Sequence, residues 1–133
     1  MRRRFLIPFF ILLIAGAVST TRAQGGKAEP KRIEFARGTS SSTIKDSIRR
    51  SEEAEYVFSA QQGQKITIAL TSVAPKAALF RLRNGEDVLS SWGFDGTNWS
   101  GIAPANGDYL MTVVAARGAS QRRITYTLRL AIK

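Results

Sequence analysis

The sequence predicts an all-β protein: an antiparallel, jelly-roll-like β-sandwich of eight or nine short strands, preceded by a cleaved export segment. Three observations predict it. Apolar residues recur with a period of two along most of the chain. Reversal signals such as Gln62-Gly63, Asn84-Gly85 and Asn106-Gly107 interrupt that pattern at short intervals. No window of about 12 residues carries the 3.6-residue periodicity of an amphipathic helix.

The first element is the export segment, residues 1–23. Arg2, Arg3 and Arg4 form a charged start, and Phe5 to Val18 is almost wholly apolar. Thr21-Arg22-Ala23 then places small residues three and one positions before a cut between Ala23 and Gln24, with a cut after Ala17 as the lesser option. The apolar run is short against the roughly 20 residues of a membrane-spanning helix. The chain has 20 basic and 10 acidic residues. Removing residues 1–23 takes away four arginines and no acid, so the net charge falls from +10 to about +6. The expected location is the periplasm of a bacterium, or the medium if secreted. Residues 24–30 are polar and read as a disordered lead-in, leaving residues 31–133 as one domain. With no cysteine, that domain must hold together by packing alone.

Ile33 and Phe35 open the strand pattern, and Gly38 to Ser42 reads as a polar connection. Ile44 and Ile48 mark a weak strand, followed by a charged loop from Arg49 to Glu55. Tyr56, Phe58 and Ala60 share a face, so Tyr56 is expected in the core. Ile66, Ile68 and Leu70 follow the Gln61–Gln64 turn, and Ala78, Phe80 and Leu82 come next with Arg81 and Arg83 facing away. Asn84-Gly85 predicts a hairpin with a type I′ turn, because both residues tolerate positive φ. Val88 to Trp92 returns as a strand, and Gly93 to Gly101 reads as an aromatic, Gly-rich connection. Tyr109 to Ala115 is apolar on both faces and is therefore expected to be central. Ile124, Tyr126, Leu128, Leu130 and Ile132 line one face of the last strand.

The chemistry excluded is as informative. With neither histidine nor cysteine, Cys-His and Ser-His-Asp catalysis and the usual zinc sites cannot form. The only acidic cluster, Glu52, Glu53 and Glu55, reads as a solvated face, and Asp95 with Asn98 falls short of the six to eight oxygens that calcium takes. The expectation is a binding protein with no catalytic residue, no metal, no cofactor and no nucleic-acid partner. Candidate contact residues are Arg117, Arg122 and Arg123 in the last long connection and Arg50 in the earlier charged loop. A guanidinium fork suits carboxylate or phosphate because it forms two parallel hydrogen bonds. Trp92 and Trp99 are candidate aromatic contacts, or else rings that cap one end of the core.

Several segments resemble a known family. Arg32 to Ser42, then Glu55-Tyr56-Val57-Phe58-Ser59-Ala60 and Gly63-Gln64-Lys65-Ile66-Thr67-Ile68, are similar to the opening and the strand–turn–strand core of the periplasmic inhibitors of g-type lysozyme. They also resemble the wider set of bacterial pre-peptidase C-terminal-like β-sandwich domains. Gly101 to Tyr109, ending in Gly-Asp-Tyr, and Tyr126-Thr127-Leu128 resemble the late turn and closing strand of both. These motifs specify turns and core positions, so they carry fold better than function. The inhibitor resemblance implies a sandwich that plugs a lysozyme cleft with its loops, with Arg117 and Arg122 matched to the family's basic loop as donors to cleft carboxylates. The alternative is a general cell-envelope domain that binds anionic glycan or lipid through the basic loops and Trp92 and Trp99.

Overall fold

The computed structural model describes residues 29–90 and 96–133. The export segment, most of the lead-in, and Trp92 with Phe94 lie outside the described residues. The strands are β1 (Lys31–Arg32), β2 (Ser41–Arg49), β3 (Glu53–Ala60), β4 (Lys65–Ser72), β5 (Ala78–Asn84), β6 (Asp87–Val88), β7 (Asn98–Ile102), β8 (Gly107–Ala115) and β9 (Arg123–Ile132). Among the described residues, no helix is long and apolar enough to cross a membrane.

The strands form a five-stranded sheet, β1-β3-β8-β5-β6, and a four-stranded sheet, β2-β9-β4-β7. The hydrogen-bonded pairs β2–β9, β3–β8, β4–β7 and β5–β6 are nested one inside the next. That is the pairing of one long hairpin folded over on itself, which is the jelly-roll sandwich. As expected, Tyr109 to Ala115 is central, in β8, with β3 and β5 on either side. In the other sheet β9 is flanked by β2 and β4.

Alternation along each strand makes the core. Tyr56, Phe58, Phe80, Leu82, Tyr109 and Met111 point in from one sheet; Ile66, Ile68, Leu70, Tyr126, Leu128 and Leu130 point in from the other, and all are buried. Phe58 and Tyr109, cross-strand partners, stack with ring centroids 5.6 Å apart. The Tyr109 hydroxyl donates to the Ala105 carbonyl at 2.6 Å and accepts from the Ala105 N–H at 3.3 Å. This pins the turn that leads into the Gly-Asp-Tyr strand.

Several details differ from expectation. Ile44 and Ile48 belong to a nine-residue strand paired along its whole length with β9, which supplies the partners that weak local patterning did not reveal. The charged loop shrinks to the turn Arg49–Glu52, because β3 starts at Glu53 on the register set by Val114. β1 pairs with β3 in parallel, the one departure from antiparallel pairing among the described residues. The Asn84-Gly85 hairpin is present, but only Gly85 has positive φ, 58°. Gly85 and Glu86 are the two loop residues, and this is the type II′ pattern with glycine first rather than type I′.

The Gly93–Gly101 stretch is not all connection: Asn98–Ile102 is an edge strand on β4. Of the expected Val88–Trp92 return, the described residues show ladder pairing at Asp87 and Val88, and its end lies outside them. Leu89 and Ser90 continue alongside β5, both donating N–H to the Leu82 carbonyl.

Candidate functional site: the basic end of the sandwich

Three of the chain crossings between the sheets, each within the described residues, meet at one end. Register places them together: Arg49 at the end of β2 pairs with Arg123 at the start of β9, and Glu53 at the start of β3 pairs with Val114 near the end of β8. Ala116 N–H donates to the Ala77 carbonyl at 2.7 Å and Val73 N–H to the Thr125 carbonyl at 3.1 Å, which ties the β4–β5 connection to the same end.

Each crossing contains a four-residue turn closed by an i to i+3 backbone hydrogen bond. These are Arg49–Glu52 (3.0 Å), Ala74–Ala77 (3.1 Å) and Ala116–Ala119 (3.2 Å). Each places an exposed cation at a corner: Arg50, Lys76 and Arg117. In Ala116–Ala119, Gly118 at φ 81° takes the third position, as a type II turn requires, and leaves Arg117 at the outer corner. Ala119 packs back on the core, so the loop is anchored on both sides of Arg117. In Ala74–Ala77, Pro75 sets the second position and Lys76 takes the third at φ 56°. A non-glycine residue there costs about 1 kcal/mol in backbone strain. The Ser72 hydroxyl braces this turn, donating to the Ala74 carbonyl at 2.6 Å and accepting from Ala77 N–H at 3.2 Å.

The structure therefore brings Arg50, Arg117, Arg122 and Arg123 to one end, although more than 60 residues separate the first from the rest in sequence. Arg123 is the first residue of β9 rather than part of the loop, and its Nη1 donates to the Ser47 hydroxyl at 3.0 Å. Two further cations join them. Arg49 lies directly opposite Arg123, a like-charge pair that costs stability. Glu52 partly offsets this: its Oε1 lies 3.8 Å from Arg49 Nε, and its Oε2 accepts the Arg49 N–H at 3.1 Å. Lys76 is the other, and Pro75 at the second turn position was its sequence signal. Val73, 83% exposed, adds an apolar tip beside the cations. From Arg117 a groove of about 680 Å³ runs onto the outer face of the five-stranded sheet, lined by Glu53, Leu79, Arg81 and Val114.

Trp99 is not part of this end. It pairs with Ile68 on the inward face of β7, half-buried against the core. A Cβ on Gly101 would come within 2.7 Å of the Trp99 ring, so the indole lies across that glycine. Trp99 therefore packs on the core while part of its ring stays exposed.

No protein-family model and no curated protein sequence matches the chain. Solved structures do. A periplasmic inhibitor of g-type lysozyme from Aeromonas hydrophila superposes with a TM-score of 0.67 at 25% identity, covering 80% of this chain and 98% of that one. The corresponding Salmonella Typhimurium inhibitor gives 0.62 at 23% identity, covering 81% and 99%. The pre-peptidase C-terminal domain of a Bacillus anthracis collagenase gives 0.53 at 18% identity, covering 79% and 95%. The chain shares its fold with these inhibitors and with that collagenase domain.

Proposed function

We propose that this protein is an exported, non-enzymatic inhibitor of a g-type lysozyme that presents its basic end to the enzyme's cleft. The observation that carries the reading is the convergence of three inter-sheet turns, each with a cation at its corner, in a fold shared with such inhibitors. Glycoside hydrolases work with Asp and Glu side chains flanking the scissile bond. Arg117, at the tip of an anchored turn, and Arg122 donate to those carboxylates; Arg50 and Arg123 flank them.

Many lysozymes are basic, and two positive proteins repel. At physiological salt, however, the screening length is about 8 Å, so dispersed charge acts weakly. A hydrogen bond to a charged group contributes roughly 1.5–3 kcal/mol. Local complementarity therefore wins, and the repulsion appears in the association rate.

The test is lysozyme-catalysed clearing of a peptidoglycan suspension by a g-type enzyme, with and without the purified exported protein. Loss of activity at a small molar excess is expected; full activity at micromolar excess overturns the reading. Mass spectrometry of the exported protein checks its processing, with Gln24 expected as the first residue.

A further inference from the structure

The outer face of the four-stranded sheet carries a second group of cations, centred away from the basic end. One cross-strand row on this face is Ser41–Ala131–Thr67–Ser100, made only of small side chains. The row on one side is Thr43–Arg129–Ala69–Asn98, with the exposed Arg129 rising at its centre. On the other side stand Lys65 and Lys133, whose backbones exchange hydrogen bonds of 2.7 and 2.9 Å. The small row is therefore the floor of a trough with cations on both banks. Hollows of about 420 and 250 Å³ mark its two sides, the first against Arg129 and the second against Lys65 and Lys133. From strand geometry the trough is about 14 Å between banks and about 14 Å long across the four strands.

Charge on this face is one-sided. Strand alternation puts Lys45, Arg49, Lys65, Arg123 and Arg129 on it, and no Asp or Glu among the described residues of the four strands. Asp46 is turned to the other side, toward Lys31 and Tyr56. The remaining exposed groups are mainly Ser and Thr hydroxyls.

We infer that this trough binds a linear acidic polysaccharide, laid across the strands with its carboxylates or sulfates on Arg129, Lys65 and Lys133. The chemistry selects this occupant. Hydroxyl rows both donate to and accept from sugar hydroxyls. Single-stranded nucleic acid needs aromatic stacking platforms, and among the described residues of these four strands no ring points outward, Trp99 and Tyr126 facing the core. Membrane insertion needs a patch of large apolar side chains on the surface; among the described residues of this face, the exposed ones are Ile102 at the rim and Val73 far off at the basic end.

The test is isothermal titration calorimetry of the exported protein with short polygalacturonate oligomers at about 10 mM ionic strength, where charges act over roughly 30 Å. Binding is expected and should vanish in high salt. Arg129→Ser combined with Lys65→Ser should weaken it by roughly tenfold or more. Ala131→Glu, which sets a carboxylate on the trough floor, should do the same by a separate route. Arg117→Ala with Arg122→Ala should weaken it far less than the trough variants, through overall charge alone, so the outcome is distinguishable from lysozyme inhibition. Absence of binding at low salt overturns the inference. So does unchanged binding in both trough variants, loss of binding in the loop variant, or capture by phosphatidylglycerol vesicles but not by the oligomers.

Discussion

The hydroxyl oxygens of Tyr56 and Tyr126 lie 2.6 Å apart, one from each sheet. Tyr56 O–H also donates to Asp46 Oδ2 at 3.2 Å, which leaves Tyr126 as donor to Tyr56. Lys31 Nζ reaches the same carboxylate oxygen at 3.1 Å, and Ser47 N–H donates to Oδ1 at 2.8 Å. The relay Tyr126–Tyr56–Asp46–Lys31 closes the open side of the sandwich, where edge strands β1 and β2 belong to different sheets. Tyr56→Phe strands the Tyr126 hydroxyl and should cost about 1–3 kcal/mol, whereas Tyr126→Phe leaves the bond to Asp46 intact and should cost about 1 kcal/mol. The double variant should cost less than the sum. Chemical denaturation of the four proteins checks the cycle; strict additivity would refute the relay.

The same relay makes stability depend on acid. Burial pushes the Asp46 carboxyl up, but hydrogen bonds from Ser47 N–H, Lys31 and Tyr56 outweigh it and hold the group below its ordinary value of 3.8. A carboxyl depressed in the folded state stabilises the fold above its unfolded pKa and loses that contribution as pH falls through the folded one. Melting temperature should therefore decline below about pH 4 in the native protein, and Asp46→Asn should be less stable at neutral pH but flatter on the acid side. Parallel acid limbs in thermal melts of the two proteins would exclude this role.

At the alkaline limit the sign reverses. Burial raises the hydroxyl pKa of both Tyr56 and Tyr126 above the ordinary value of 10, and for Tyr126 its donation to Tyr56 raises it further. A raised group gives its full stabilisation below the unfolded pKa and loses it as pH climbs through the folded one. The native protein should lose stability above about pH 10, and the Tyr56→Phe, Tyr126→Phe double variant should lose less. Circular dichroism melts from neutral pH upward measure the difference.

Much of this fold was legible in the sequence and part of the site was not, for physical reasons that particular residues show. Ile66-Thr67-Ile68 and Ile124 to Ile132 alternate cleanly because both strands are covered on one face only. Asn98-Trp99-Ser100-Gly101-Ile102 hid its alternation because its inward positions are one large ring and one glycine, which fill the space jointly. Arg117 stood out as part of a basic loop. Lys76 did not, because only the turn at Pro75 brings it to the same end.

Lys76 shows how stability and contact separate at the basic end. Its positive φ is strained, and Lys76→Gly should relieve that by about 0.5–1 kcal/mol, since glycine adopts the conformation freely. The substitution also removes a corner cation. If Lys76 touches the inhibited enzyme, the variant should melt higher yet inhibit more weakly, mainly through faster dissociation. A variant that melts higher with unchanged inhibition would assign Lys76 to the turn alone.

Gly101 and Trp99 make the last prediction. A methyl group on Gly101 would fall within 2.7 Å of the Trp99 Cη2 and Cζ2 atoms, too close to coexist. The backbone of β7 is held by its ladder with β4, while the indole is only half-buried on an edge strand. The ring should therefore give way, swinging toward solvent from its seat against the core. Gly101→Ala should cost about 1–2 kcal/mol, at the lower part of the range for overpacking because one side of the ring is open. Its fluorescence should shift to the red, and Trp99→Phe in the same background should remove that shift. If emission is unchanged while stability falls, the strand has moved instead, and with it the Thr67–Ser100 edge of the trough on the opposite face.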